Sequence, residues 1–148
     1  IVADLLGDFS FEHDGSTSQV SYHGGLLGHF ATDTRAAVQW VEAIQYQKAH
    51  GPWDFGMSKL DLAHGVNRCN MALFDALGNF ENSVWGVKHR LTSMGLLPGP
   101  YCVHEQGRSG QAQAIDSIYA EYPLLSDQQF IQDTLTDLKQ ELGLATLK

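Results

Sequence analysis

The densest group of reactive side chains lies in the stretch Ser58 to Gly78, SKLDLAHGVNRCNMALFDALG, where Cys69 stands between Asn67 and Asn70. A cysteine does chemistry when it is ionised, because the thiolate is the nucleophile and the metal ligand. Two readings of the local structure decide whether Cys69 reaches that state. In the first, one helix runs through the whole stretch. Leu62, Val66, Cys69, Leu73 and Leu77 then follow steps of 4, 3, 4 and 4 along one apolar face, and Cys69 is a small buried hydrophobe. Ser58 with Asp61 forms a capping box, and Gly78 falls just past the end. In the second, Gly65, which costs about 1 kcal/mol against Ala inside a helix, breaks the segment. Asn67 then caps a new helix with Cys69 in its first turn, where unpaired N–H groups and the positive end of the macrodipole stabilise a thiolate.

A nucleophilic thiol needs a base within hydrogen-bond reach. Downstream, His89 falls inside a helical pattern, and His104 follows the short apolar run Tyr101-Cys102-Val103. Upstream, Gly28-His29-Phe30 is the alternative. The wording around Cys69, NRCNMALFDALG, resembles the nucleophile helix of NlpC/P60-like and related papain-like cell-wall amidases. The resemblance implies a thiol-dependent hydrolase of the amidase or peptidase type acting on a peptide or peptidoglycan substrate. Cys69 is then the nucleophile, His104 the base on a strand, and Asn70 or Glu105 the polar group that orients it. The other reading is a non-enzymatic helical binding domain, or an accessory subunit of a larger assembly with a protein partner.

Other chemistries are weaker. Seven histidines invite a metal, and a hairpin would bring His13, Asp14 and His23 together. No helical His-x-x-x-His or Cys-x-x-Cys spacing is present, so the expectation is no metal and no cofactor. His104-Glu105-Gln106-Gly107-Arg108-Ser109-Gly110 is a polar loop ahead of a helix, suited to an anion at its N–H groups or to a plain helix entry. Glu12 with Asp14, or Asp54 with Asp61, could pair as acids only at a separation that spacing does not give. Cys69 and Cys102 are either bridged or two free thiols, and a bridge excludes a nucleophilic Cys69.

Composition narrows the partners. A formal charge of −8 with nine scattered Lys and Arg residues lacks the basic patch that nucleic acid or an anionic membrane surface requires. No apolar run approaches the ~20 residues of a membrane span, and the chain begins at Ile1, as a processed or trimmed chain would, leaving its compartment open.

The elements that must position these groups read as α+β, mostly α, in a single domain over 1–148, with hairpin and loop over 1–30 and a helical body over 32–148. Phe9, Phe11, Val20 and Tyr22 alternate with polar residues around DGSTS, which predicts an antiparallel hairpin packed on the helices through those four residues. Five helices follow. The first starts at Thr32 or Asp33 and runs to about residue 50, with Ala37, Val38, Val41 and Ile44 inward, and the second is the Ser58 stretch. A third covers 82–94, with Val84, Val87, Leu91 and Met94 inward. The fourth buries Ala112, Ile115, Ile118, Tyr119 and Tyr122 and ends at Pro123. The last opens on Ser126 with Gln129 and turns Ile131, Leu135, Leu138 and Leu142 inward, leaving the acidic side Asp127, Asp133, Asp137 and Glu141 in solvent. Tyr101-Cys102-Val103 is expected as a short strand, and Trp40, Trp53 and Trp85 as core or core-edge residues.

Overall fold

The computed structural model describes residues 1–25, 28–104 and 106–143. Their order is α1 (Val2–Leu6), β1 (Asp8–His13), β2 (Ser16–Ser21), α2 (His29–Thr32), α3 (Thr34–His50), α4 (Lys59–Leu73), α5 (Ser83–Ser93), α6 (Gln111–Glu121) and α7 (Gln128–Glu141). The architecture is α+β and mostly α: the five long helices are α3 to α7, and the only sheet among the described residues is the β1–β2 hairpin.

Helix α4 is the centre. Ser58 accepts from the Asp61 N–H at 3.1 Å, so the helix starts where the capping box predicts. It then passes through Gly65 without a break. The glycine serves close approach, because a Cβ there would lie 2.7 Å from Tyr122 and 2.8 Å from Leu125. Leu62, Val66, Cys69 and Leu73 are all fully buried on one face. They form the core with Trp40 and Ile44 of α3, Ile115 and Tyr119 of α6, and Val2 and Leu5 of α1.

Several expectations are corrected. Helix α4 ends at Leu73, and a 3-10 turn over Ala76–Gly78 carries Leu77 out to 81% exposure instead of onto the core face. The hairpin forms, with Phe9 opposite Val20 and a two-residue turn at Asp14 and Gly15, both at positive φ. It does not pack as predicted: Phe11, Val20 and Tyr22 are exposed and only Phe9 is half-buried, edge-on to Tyr22 at 5.6 Å. The short α1, absent from the sequence reading, already fills that side of the core with Val2 and Leu5. On α3 the buried face is Ala36, Ala37, Trp40 and Ile44, with Val38 exposed and Val41 half-buried. On α5 it is Gly86 and Arg90, so Val84 lies outside, although Met94 just beyond the helix is buried as expected. Helix α6 buries Ile115 and Tyr119 as expected and adds Gln111, leaving Ala112, Ile118 and Tyr122 half-buried.

Tyr101-Cys102-Val103 is loop, not strand, and Tyr101 and Val103 stand in solvent. On α7 Ile131 is buried, Leu135 half-buried and Leu142, just past the helix, exposed. The side chain of Leu138 lies outside the described residues. Asp127 is buried and is not part of a solvated acidic stripe.

Three substitutions check this packing by urea unfolding midpoints. Leu73→Ala is expected to cost ~2–5 kcal/mol, and Leu77→Ala to stay within ~0.5 kcal/mol, as surface changes do. Gly65→Ala is expected to destabilise by ~1–3 kcal/mol through overpacking, against the helix propensity that favours Ala.

Candidate functional site

The densest polar constellation is buried, and it gathers side chains from α2, α5, α6 and α7 and from the junctions before α3 and α7. Asp33, between α2 and α3, is fully buried and forms an ion pair with Arg90 of α5, which is also buried: Nη2 donates to Oδ1 at 2.7 Å and Nε to Oδ2 at 3.3 Å. Arg90 Nη2 also donates to Ser126 Oγ at 2.6 Å and Nη1 to Gln128 Oε1 at 3.1 Å, while the guanidinium stacks over Tyr119 of α6 at 3.8 Å. Asp33 Oδ1 accepts the Asp127 N–H at 3.0 Å, and Thr32 donates to Oδ2 at 2.7 Å.

The predicted cap of α3 works by a different residue. Asp33 makes no cap bond to its own helix; Asp127 accepts from Arg35 N at 2.8 Å and Ala36 N at 2.7 Å. A carboxylate at that helix N-terminus meets unpaired N–H groups and the positive end of the dipole. The two carboxylates thus cross-link the start of α3 to the start of α7.

Beside this pair runs a chain of groups without charge. Tyr119 Oη lies 3.3 Å from His29 Nδ1 and 3.5 Å from Thr32 Oγ1, and Tyr119 and Cys69 belong to the same buried core. His29 is fully buried and its Nε2 has no hydrogen-bond partner. Burial lowers the His29 pKa from the usual 6.5, with Asp33 and Asp127 opposing and Arg90 adding to the drop. Burial, reinforced by the negative charge of Asp33, pushes the Cys69 thiol up to about 12. Burial also raises Tyr119 well above the ordinary phenol value. Thiol, phenol and imidazole are all held neutral.

The residues expected to act with Cys69 are dispersed. Cys69 sits in the third turn of an unbroken α4, at 0% exposure, so the reading with a helix start at Asn67 is corrected: the close fit of Gly65 against Tyr122 and Leu125 favours one continuous helix. His104 is exposed in the loop after α5, and among the described residues no hydrogen bond joins it to Cys69. Asn70 is half-buried and its Oδ1 accepts the His29 N–H at 3.2 Å, so it holds the start of α2. Glu105 lies outside the described residues. The upstream alternative His29 is fully buried and meets Tyr119, and among the described residues no hydrogen bond joins it to Cys69. His89 contacts Asp116 at 3.1 Å and stacks on Trp85. Cys69 and Cys102 are both free.

His13 and Asp14 are exposed at the hairpin tip, 3.1 Å apart, and among the described residues no three His, Cys, Asp or Glu side chains gather as a metal site would require. Arg108 of the polar loop gives its Nε to the buried Asp75 at 2.6 Å, which occupies it with an internal anion. Asp54 and Asp61 are exposed, and Asp61 belongs to the α4 cap. Sequence reasoning missed Asp33, Arg90 and Tyr119 as a unit. Local pattern carried no signal for them, because Val84, Val87, Leu91 and Met94 offer a regular apolar stripe that sets Arg90 outside it.

No family model, no curated protein and no solved structure matches this chain. The amidase resemblance therefore rests on the residues around Cys69 alone.

Two outcomes check the cluster. Asp33→Ala leaves Arg90 buried and unpaired and is expected to cost ~3–5 kcal/mol in urea unfolding. With the His29 pKa lowered from 6.5, the unfolded chain binds a proton that the folded chain refuses, so this contribution is complete above 6.5 and is lost as pH falls below it. The unfolding midpoint should drop between about pH 7.5 and about pH 5.5, and drop less in His29→Gln.

Proposed function

We propose that this chain is a non-enzymatic helical binding domain, acting as an accessory subunit of a larger protein assembly. The observation that carries this reading is the connection between α4 and α5. Phe80 has φ 65° and is 62% exposed. A left-handed conformation is a genuine outlier for a bulky residue and costs on the order of 1–3 kcal/mol. Asp75 and Asn79 share that region, at φ 51° and 53°.

The turn is held by its own bonds. The Phe80 N–H donates to Asp75 O at 3.0 Å, Ser83 Oγ donates to Phe80 O at 2.7 Å, and Asn82 Nδ2 donates to Asp75 Oδ2 at 2.9 Å. It presents Leu77, Phe80 and, at 52% exposure, Val84 to solvent on a fixed backbone. Large exposed apolar side chains on a turn held by its own hydrogen bonds are what a protein partner covers.

The thiol-hydrolase reading lacks such support. It needs an accessible, ionisable thiol, and Cys69 is buried with its pKa raised to about 12.

Two measurements test the proposal. In an extract of its source cells, the tagged chain is expected to elute well above 16.3 kDa, and Phe80→Asp to return it to the monomer position with its thermal midpoint unchanged. Elution as a monomer in both cases overturns the proposal. Iodoacetamide at neutral pH is expected to label Cys69 only after denaturation; rapid labelling of the native protein would restore the nucleophile.

A further inference from the structure

The β1–β2 hairpin is the element with least support. Phe9 is its one half-buried strand residue, and every other residue of β1 and β2 is exposed. The helical body reaches it near its base, where Lys48 donates to Asp8 at 2.9 Å and to Gly7 O at 3.4 Å, and Gln45 donates to His23 O at 2.9 Å. A two-stranded ribbon is marginal in water, whereas three or more strands with an apolar face are stable.

The turn decides which backbone groups are spare. His13 and Ser16 face each other across the two-residue turn, so they exchange hydrogen bonds. Bonded and non-bonded pairs then alternate, and Phe11 with Ser18 and Phe9 with Val20 are bonded too. The N–H and C=O groups of Asp8, Ser10 and Glu12 therefore point out of the hairpin on one edge, and those of Thr17, Gln19 and Ser21 on the other. Among the described residues no hydrogen bond reaches the second set.

Charge separates the two edges. A symmetric pairing of β1 with itself about Ser10 sets Asp8 directly against Glu12 of a second copy, carboxylate on carboxylate, and Lys48 already occupies the start of that edge. Strand β2 reads Ser-Thr-Ser-Gln-Val-Ser, with neither the charges nor the proline that keep an exposed edge from pairing. On a chain of formal charge −8, this neutral edge is where another copy approaches without meeting a carboxylate.

We infer that β2 pairs antiparallel with β2 of a second copy, about a two-fold axis normal to the sheet at Gln19, to make one four-stranded sheet. Opposed residues share a face of a sheet, so Gln19 stands against Gln19 and Thr17 against Ser21, and each pair exchanges the groups that are spare in the single chain. The two-fold keeps the apolar faces of both hairpins on one side. There Ser18 lies between Phe11 of its own hairpin and Val20 of the second copy, and its small side chain lets the two larger ones close over it. The contact belongs to the weak class below about 1,200 Å². It separates at the dilution of a cell extract and forms where an assembly holds two copies at about millimolar effective concentration, so it is independent of the Phe80 surface and is read apart from it.

The test is sedimentation of the purified intact chain between about 10 µM and about 1 mM. The average mass is expected to rise with concentration from 16.3 kDa toward that of a dimer. Gln19→Lys sets two ammonium groups face to face on the axis, and Gln19→Pro removes the central outward N–H. The bonds within the hairpin use Ser16, Ser18 and Val20, so neither change touches them. Both variants should stay at the monomer mass, an equal mixture of Gln19→Lys with Gln19→Glu should restore the rise, and Ser10→Lys on the other edge should leave it unchanged. A chain that remains monomeric at the highest concentration overturns the inference. So does association that survives both Gln19→Lys and Gln19→Pro, that the mixture fails to restore, or that is lost in Phe80→Asp or Ser10→Lys instead.

Discussion

The structure depends on one buried ion pair. Taking Asp33 and Arg90 out of water costs several kcal/mol per ion, and their attraction repays this only where every remaining donor and acceptor finds a partner. Here the donors of Arg90 reach Asp33, Ser126 and Gln128, its flat face lies on Tyr119, and Asp33 takes the Thr32 hydroxyl and the Asp127 N–H. Together these contacts tie the junction of α2 and α3 to α5, α6 and the start of α7. Asp127 then returns to cap α3, so helices distant in sequence share one polar knot.

That knot explains why so polar a centre is quiet. The His29, Tyr119 and Cys69 side chains beside it resemble a proton-relay arrangement in residue type, yet burial drives each of them to its uncharged form. The unpartnered Nε2 of His29 is tolerated because a neutral imidazole costs far less to bury than an imidazolium. Reactivity and stability pull in opposite directions at this point, and the packing of α4 favours stability. What faces outward at the α4 to α5 connection is apolar, Leu77 and Phe80 on a turn held by its own hydrogen bonds.

Much of the fold was legible because hydrophobic period and capping agree. Helix α4 obeys both, and its stripe from Leu62 to Leu73 is the core. Leu77 continued the same period and failed, since periodicity does not register that Asp75 turns the chain left-handed two residues earlier. Helix α5 was misread for the opposite reason. Its inner face carries Arg90, and a charged residue reads as solvent-facing unless its partner, 57 positions away, is known. The hairpin was readable from alternation, but alternation does not say what already occupies the core, and α1 is too short to show a period. In the site, Cys69 was correctly placed on the apolar face by one of two readings; that Tyr119 of α6 packs into the same core and meets His29 depends on long-range packing that no local pattern encodes.

The most direct test of the polar knot is native-state amide exchange at Arg35, Ala36 and Asp127, whose N–H groups donate to the two buried carboxylates. If the Asp33–Arg90 pair locks the molecule, these three amides exchange only by global unfolding, with the same free energy and denaturant dependence as the Leu73 amide in the core. Exchange through a local opening, independent of denaturant and well below the global free energy, would contradict the account.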